Sequence, residues 1–137
     1  MCLEGASRAG AELLGAVADQ RLRAYFVWVP MLPSDDQKAA DAASRRFAEP
    51  RATHYWDGER HLARHMAPAL GIAARESITI GDAPEFAWDV YLAYGRGTKR
   101  IEQPDFWVHQ LGVKHAPRLD AGEWRRRVGQ LVDVTPG

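Results

Sequence analysis

The sequence predicts an α/β protein folded as a single domain. Helix-spaced apolar residues alternate along the chain with short β-branched and aromatic runs. At 137 residues the chain is long enough to bury a core without disulfide or metal staples. Its 46% hydrophobic and 26% charged content is ordinary for a globular protein and argues against disorder.

The elements follow in order. Residues 3–20 are Ala-rich, and Ala9, Leu13, Leu14 and Val17 recur at helical spacing, which predicts an amphipathic helix weakened by Gly5, Gly10 and Gly15. Arg23 to Val29 is a β-branched and aromatic run stopped by Pro30. Being apolar on both alternating faces, it reads as a strand sandwiched between helix layers. Ser34 or Asp35 then caps a second helix running through Ala39, Ala42, Ala43 and Phe47, which ends at Glu49-Pro50. A short strand over Ala52–Trp56 closes at the Asp57-Gly58 turn, and Arg60 to Leu70 forms a third helix stopped by Gly71.

Residues 73–85 read as a loop. Phe86 to Tyr94 is the strongest strand pattern. Gly95-Arg96-Gly97 is expected to turn it back into a weaker strand over Thr98–Glu102, making a hairpin, with one helical turn at 105–108. Asp120 caps a closing helix with Trp124, Val128, Leu131 and Val132 on one face. Alternating strands and helices imply parallel crossovers with helices on both sheet faces, and the terminal hairpin makes the sheet mixed.

This order resembles a thioredoxin-like domain of the thiol–disulfide oxidoreductase and peroxiredoxin-related type. In that family a strand delivers a Cys-x-x-Cys motif to the start of a helix. A strand, an inserted helix–strand–helix stretch, a hairpin and a closing helix follow. Cys2-Leu3-Glu4-Gly5-Ala6 looks like the second cysteine running into its helix, and Ala24 to Val29 looks like the next strand. Arg46-Phe47-Ala48 through Tyr55-Trp56-Asp57-Gly58 resembles the insert, and Trp88 to Gly97 the hairpin. The resemblance implies a three-layer sandwich with a mixed central sheet, N-terminally truncated, because the strand before Cys2 and the first cysteine are missing. The family carries a proline, normally cis, before the first hairpin strand. Pro84 is the nearest candidate, the other reading being an ordinary trans loop proline.

Cys2 is the one catalytic candidate. A thiol at a helix N-terminus feels the positive end of the dipole and unpaired N–H groups, and both favour thiolate. One cysteine makes no internal disulfide and no cysteine-rich zinc site. With no resolving thiol, Cys2 would need an external one such as glutathione, or an intermolecular disulfide. The expected function is therefore thiol–disulfide redox chemistry at Cys2, with no cofactor implied. The alternatives are a non-catalytic binding or structural module on the same fold, and a Cys2 that is a frayed terminal residue without a role.

Other residues carry groups capable of chemistry. His61 and His65 stand i, i+4 on the third helix near His54 and Asp57, but Arg60 and Arg64 beside them oppose a bound cation, so solvated histidines are the expectation. Trp28, Trp56 and Trp88 are expected in the core. Asp89 is either a buried acid or a solvent-facing partner of an Arg, and His109 and Gln110 line a cleft or a packed loop. Arg125-Arg126-Arg127 reads as a solvated face. No Gly-rich phosphate loop or nucleophile elbow occurs in the sequence.

Eighteen basic residues balance eighteen acidic ones, so no net field recruits nucleic acid or an anionic membrane. No apolar stretch reaches the roughly 18 residues of a membrane span, and the first five residues lack the basic and apolar regions of a signal peptide. The expectation is a cytoplasmic protein as written, exported only if the true start lies upstream with a signal. Without the strand before Cys2, the strands at 24–29 and 86–94 need another chain, or each other, to satisfy their edges, which makes homo-oligomerisation an expectation.

Overall fold

The structure, a computed structural model, describes residues 3–15, 17–72, 86–112 and 116–133. It is an α/β chain with the helices α1 (Leu3–Arg8), α2 (Gln37–Arg46), α3 (His61–Ala69) and α4 (Ala121–Asp133). Its strands are β1 (Ala24–Trp28), β2 (Ala52–Trp56), β3 (Val90–Ala93) and β4 (Phe106–His109). The chain divides into two compact units, one comprising Met1–Glu59 with Asp120–Gly137 and the other Arg60–Leu119. Among the described residues the strands form two two-stranded sheets, β1 parallel to β2 and β3 antiparallel to β4, where the sequence predicts one mixed sheet.

In the first unit the opening helix is shorter than predicted. It gives way at Ala9 to a π-helical stretch, Ala9–Leu14, closed by the Gly15 N–H donating to the Gly10 carbonyl at 3.0 Å. Glycine's low helix propensity at positions 10 and 15 accounts for the early stop. Leu13 and Leu14 are buried, and α4 packs against this stretch. The guanidinium of Arg51 donates to the Leu14 carbonyl at 2.9 Å and to the Val17 and Asp19 carbonyls, while its Nε pairs with Glu49 at 2.9 Å. A cation thus satisfies the carbonyls at the end of the helical segment.

The cap of α2 is Asp36, one or two residues later than the sequence reading put it. Its side chain accepts from the Ala39 N–H at 2.8 Å. Asp35 holds the preceding turn instead, accepting from the Met31 and Leu32 amides at 2.8 and 2.9 Å. Buried Ala40 and Ala43 let α2 lie close to the sheet, in one cluster with Ala6 and Trp28 and with Phe26, Phe47 and Trp56 against it. The reading of β1 as apolar on both faces and sandwiched between helices is corrected here. Its second face, with Tyr25 and Val27, is open.

In the second unit α3 starts at Arg60, which sits in the left-handed region at φ 57° and supplies no side-chain cap. It ends as predicted at Gly71, with φ 68°. The Gly71 amide donates to the Pro68 carbonyl and the Ile72 amide to the Ala67 carbonyl, so Ile72 folds back onto Ala67. Met66, Ala67, Leu70, Ile72 and Ala87 form the core, covered by Val90, Leu92 and Trp107.

The predicted strand 86–94 shrinks to Val90–Ala93, because Asp89 takes φ 50° and breaks the extension. Phe86 and Ala87 are buried ahead of it, and the Ala87 amide donates to the Ala63 carbonyl on α3. The hairpin partner also differs. Residues 98–102 are not a strand, and β4 forms where a helical turn was expected. Asp105 organises the intervening loop, its Oδ2 accepting the Gly95 N–H at 2.6 Å and its own N–H donating to Ala93 at 2.9 Å. The glycine turn at 95–97 therefore bends a loop rather than joining two strands. Among the described residues no helix is long and apolar enough to cross a membrane.

Candidate functional site

The two sides of the β1–β2 pair carry the features that call for explanation. On the inner side, Phe26, Trp28 and His54 stack. The His54 ring lies 4.8 Å from Phe26 and 5.9 Å from Trp28, within 16° and 8° of parallel. Trp28 Nε1–H donates to His54 Nδ1 at 3.1 Å. An indole nitrogen only donates, so Nδ1 is the bare acceptor and the neutral ring carries its proton on Nε2. That Nε2 is buried without a hydrogen-bond partner. Burial pushes the imidazole below its ordinary range. The Phe47 carbonyl opposes the shift, although it does not meet the geometry of a hydrogen bond to Nε2. Beside this ring a shallow depression of about 480 Å³ is lined by Ser44, Arg45, Glu49 and His54 among others.

On the outer side, Tyr25 and Tyr55 are 65% and 53% exposed and Val27 37%. The two tyrosine rings stack at 6.4 Å. Parallel sheets normally cover both faces, so an open face on a parallel pair is unusual.

The ladder decides which backbone groups remain free. The Ala24 amide donates to the Arg51 carbonyl at 3.0 Å and the Asp57 amide to the Trp28 carbonyl at 2.9 Å. Ala24 lies opposite Ala52 and Trp28 opposite Trp56. Ala24, Phe26 and Trp28 therefore aim their N–H and C=O at β2, and Tyr25 and Val27 aim theirs away from it. On β2 the outward groups belong to Ala52, His54 and Trp56, and the Ala52 amide is taken by the Glu49 carbonyl at 2.8 Å. The outward backbone groups of Tyr25 and Val27 meet no described partner. Residues 24–28 also contain no charge, proline or glycine, the usual devices that blunt an exposed edge.

The remaining sequence candidates fall elsewhere. Cys2 and Pro84 lie outside the described residues. His65 is held by Glu102 at 2.7 Å. Among the described residues no group of three His, Cys, Asp or Glu side chains converges as a metal ion requires. The Asp89 carbonyl accepts the Gln110 amide at 2.9 Å, within a packed turn. His109, the last residue of β4 rather than a loop residue, and Gln110 after it are buried, and His109 Nδ1 accepts the Leu111 amide at 3.1 Å. Arg126 pairs with Glu123 at 2.6 Å on the exposed side of α4. Trp28 is buried in the core, Trp56 packs partly against it, and Trp88 lies before β3 with its ring edge-on to His109.

The stacking of His54 and the open face at Tyr25 and Val27 escaped the sequence reading, whereas an unsatisfied edge on the 24–29 strand was expected. The available signal was period-two alternation in the second strand, where Thr53 and Tyr55 alternate with His54 and Trp56. A comparison of the chain with protein-family models, with curated proteins and with solved structures finds no match.

Proposed function

We propose that this chain is a binding module on a thioredoxin-like scaffold, and that its partner is a second copy of itself, met through the open side of the β1–β2 pair. The observation that carries the reading is the outward backbone of Tyr25 and Val27, which has no partner among the described residues, beneath an exposed aromatic face. An uncharged strand edge of this kind is a template for pairing with another chain. The balanced charge of the whole chain sets no repulsion between copies. The parallel β1–α2–β2 unit supports the thioredoxin-like part of the proposal. Sedimentation velocity of the intact chain over a range of concentrations tests it. A concentration-dependent dimer that survives Cys2→Ser is expected, and a monomer at every concentration sinks the reading.

A second reading is thiol redox chemistry at Cys2, supported by the position of Cys2 just before α1 in a chain that continues β–α–β. There the Cys2 thiolate attacks glutathione disulfide, forming a mixed disulfide and releasing one glutathione thiolate. Titration of the thiolate tests it. A value well below the ordinary cysteine value of about 8.5 is expected, and an ordinary value removes the reading.

A further inference from the structure

We propose that Trp28 and His54 form an acid-released latch in the first unit, in which a proton taken up at His54 Nδ1 leaves the indole N–H without an acceptor and loosens α2 on the β1–β2 pair. Self-association plays no part in it.

With His54 neutral the pair is matched. Trp28 Nε1–H donates to Nδ1 at 3.1 Å, and the two ring planes lie within 8° of one another. The proton of the neutral ring is on Nε2, so a second proton has only Nδ1 to bind. An imidazolium carries donors at both nitrogens and no acceptor, and an indole carries a donor alone. Two N–H groups then face each other across a gap that held one hydrogen. Turning the imidazolium over restores nothing, since no orientation of it offers a lone pair.

The surroundings do not compensate the new charge where it forms. Arg45 and Arg46 stand in the last turn of α2, and Arg45 lines the depression beside the ring. Glu49 lines it too, but its carboxylate is held by Arg51 at 2.9 Å. β1 brings no ionisable side chain except Tyr25, which stacks with Tyr55 of β2 on the open face. From α1 the cluster receives the uncharged Ala6. The charged ring is therefore better served at the depression, where solvent and Glu49 meet it, than against Trp28. Burial already lowers this imidazole, which sets the release below the ordinary histidine value of about 6.5.

What the release does follows from the packing. Trp28 is buried in one cluster with Ala6, Ala40 and Ala43, so its indole is the bulk on which α2 rests. Alanines have no reach to refill the space when that ring moves, and α2 loses its seat. Protonation thus exchanges a packed arrangement for a looser one, which is the two-state element a histidine switch needs.

Nuclear magnetic resonance of the intact chain, with pH lowered from about 7.5 to about 5, follows the His54 ring and the Trp28 indole N–H together. The two are expected to change along one curve with its midpoint below the ordinary histidine value, while far-ultraviolet circular dichroism holds. Protection of the Ala40 and Ala43 amides is expected to fall more than about tenfold along the same curve. His54→Asn keeps an acceptor oxygen near the place of Nδ1 and takes no proton, so its Trp28 indole is expected not to respond to pH. A His54 that titrates while the Trp28 indole N–H stays put overturns the latch, and so does an indole that moves with the same midpoint in His54→Asn. A His54 that takes its proton only as the helical signal collapses overturns it as well, since the event is then global unfolding. Should His54→Asn fail to fold, the coincidence of the two wild-type curves decides.

Discussion

The two units each place a histidine against aromatic rings, and they treat it in opposite ways. In the Arg60–Leu119 unit His109 is 2% exposed, and the described structure ties it down on several sides. Its amide donates to the Pro117 carbonyl, its carbonyl accepts from the Gly112 and Leu119 amides, and its Nδ1 accepts from the Leu111 amide. In the other unit His54 is less buried, its Nδ1 is taken by Trp28, and its Nε2 has no partner. Burial lowers both imidazoles from their ordinary range, opposed by the Trp88 backbone for His109 and the Phe47 backbone for His54. The difference lies in satisfaction rather than desolvation. His109 is a knot that closes the end of β4, whereas His54 sits in a stack that leaves a polar atom uncompensated. A buried group without a partner costs stability, and it stands beneath the one strand pair in the described structure with an open aromatic face.

The sharpest way to break this contrast is His109→Ala. It opens a cavity and strips the Leu111 amide of its acceptor, and the cost is expected at about 3 kcal/mol. Amide exchange in β3, β4 and at Leu119 reads the effect locally. If protection there is unchanged, His109 is not the knot that the hydrogen bonds imply.

That knot also shows how much was legible beforehand. Helices and strands that follow a period over several residues were readable: α2, α3, α4, β1 and β2 lie within a few residues of the pattern's prediction. The β3–β4 pair was not. Gly95-Arg96-Gly97 is a real turn, but Asp105 draws the loop closed ten residues further on, and that long-range bond leaves no local periodicity. The open face of β1 was missed for a related reason. Tyr25 and Val27 look as apolar as Phe26 and Trp28, and only tertiary packing decides which alternate set α2 covers. The inner stack was hidden because a single His in a β-run carries no sign of whether its second nitrogen finds a partner.

A second contrast lies in how the helices begin. α2 and α4 are capped by Asp36 and Asp120, which accept the Ala39 and Glu123 amides at 2.8 Å each. α3 begins at left-handed Arg60, whose guanidinium lies 4.8 Å from the centroid of the Phe86 ring. Asp36→Ala is therefore expected to cost about 1 kcal/mol in denaturant unfolding. Arg60→Gly relieves the left-handed strain and loses the ring contact, so its net effect is expected within about 0.5 kcal/mol. A cost for Arg60→Gly as large as that for Asp36→Ala would mean that the arginine is the working cap of α3.

The finest probe separates the two histidines by titration. Each has a folded value below its unfolded one, near 6.5, so the unfolded chain takes up the proton first as pH falls. Stability is then complete above the unfolded value and is lost as pH falls through it toward the folded values. Denaturant midpoints measured at about pH 7.5 and about pH 5.5 are expected to be lower at the acid end. Within that loss, Trp28→Phe distinguishes the sites. It keeps an aromatic ring in the stack but frees His54 Nδ1 to take a proton, so His54 moves up toward its ordinary value while His109 stays where it was. Nuclear magnetic resonance titration of the two rings reads this directly. An unchanged His54 would show that burial alone holds it down and that the Trp28 bond is incidental to its titration.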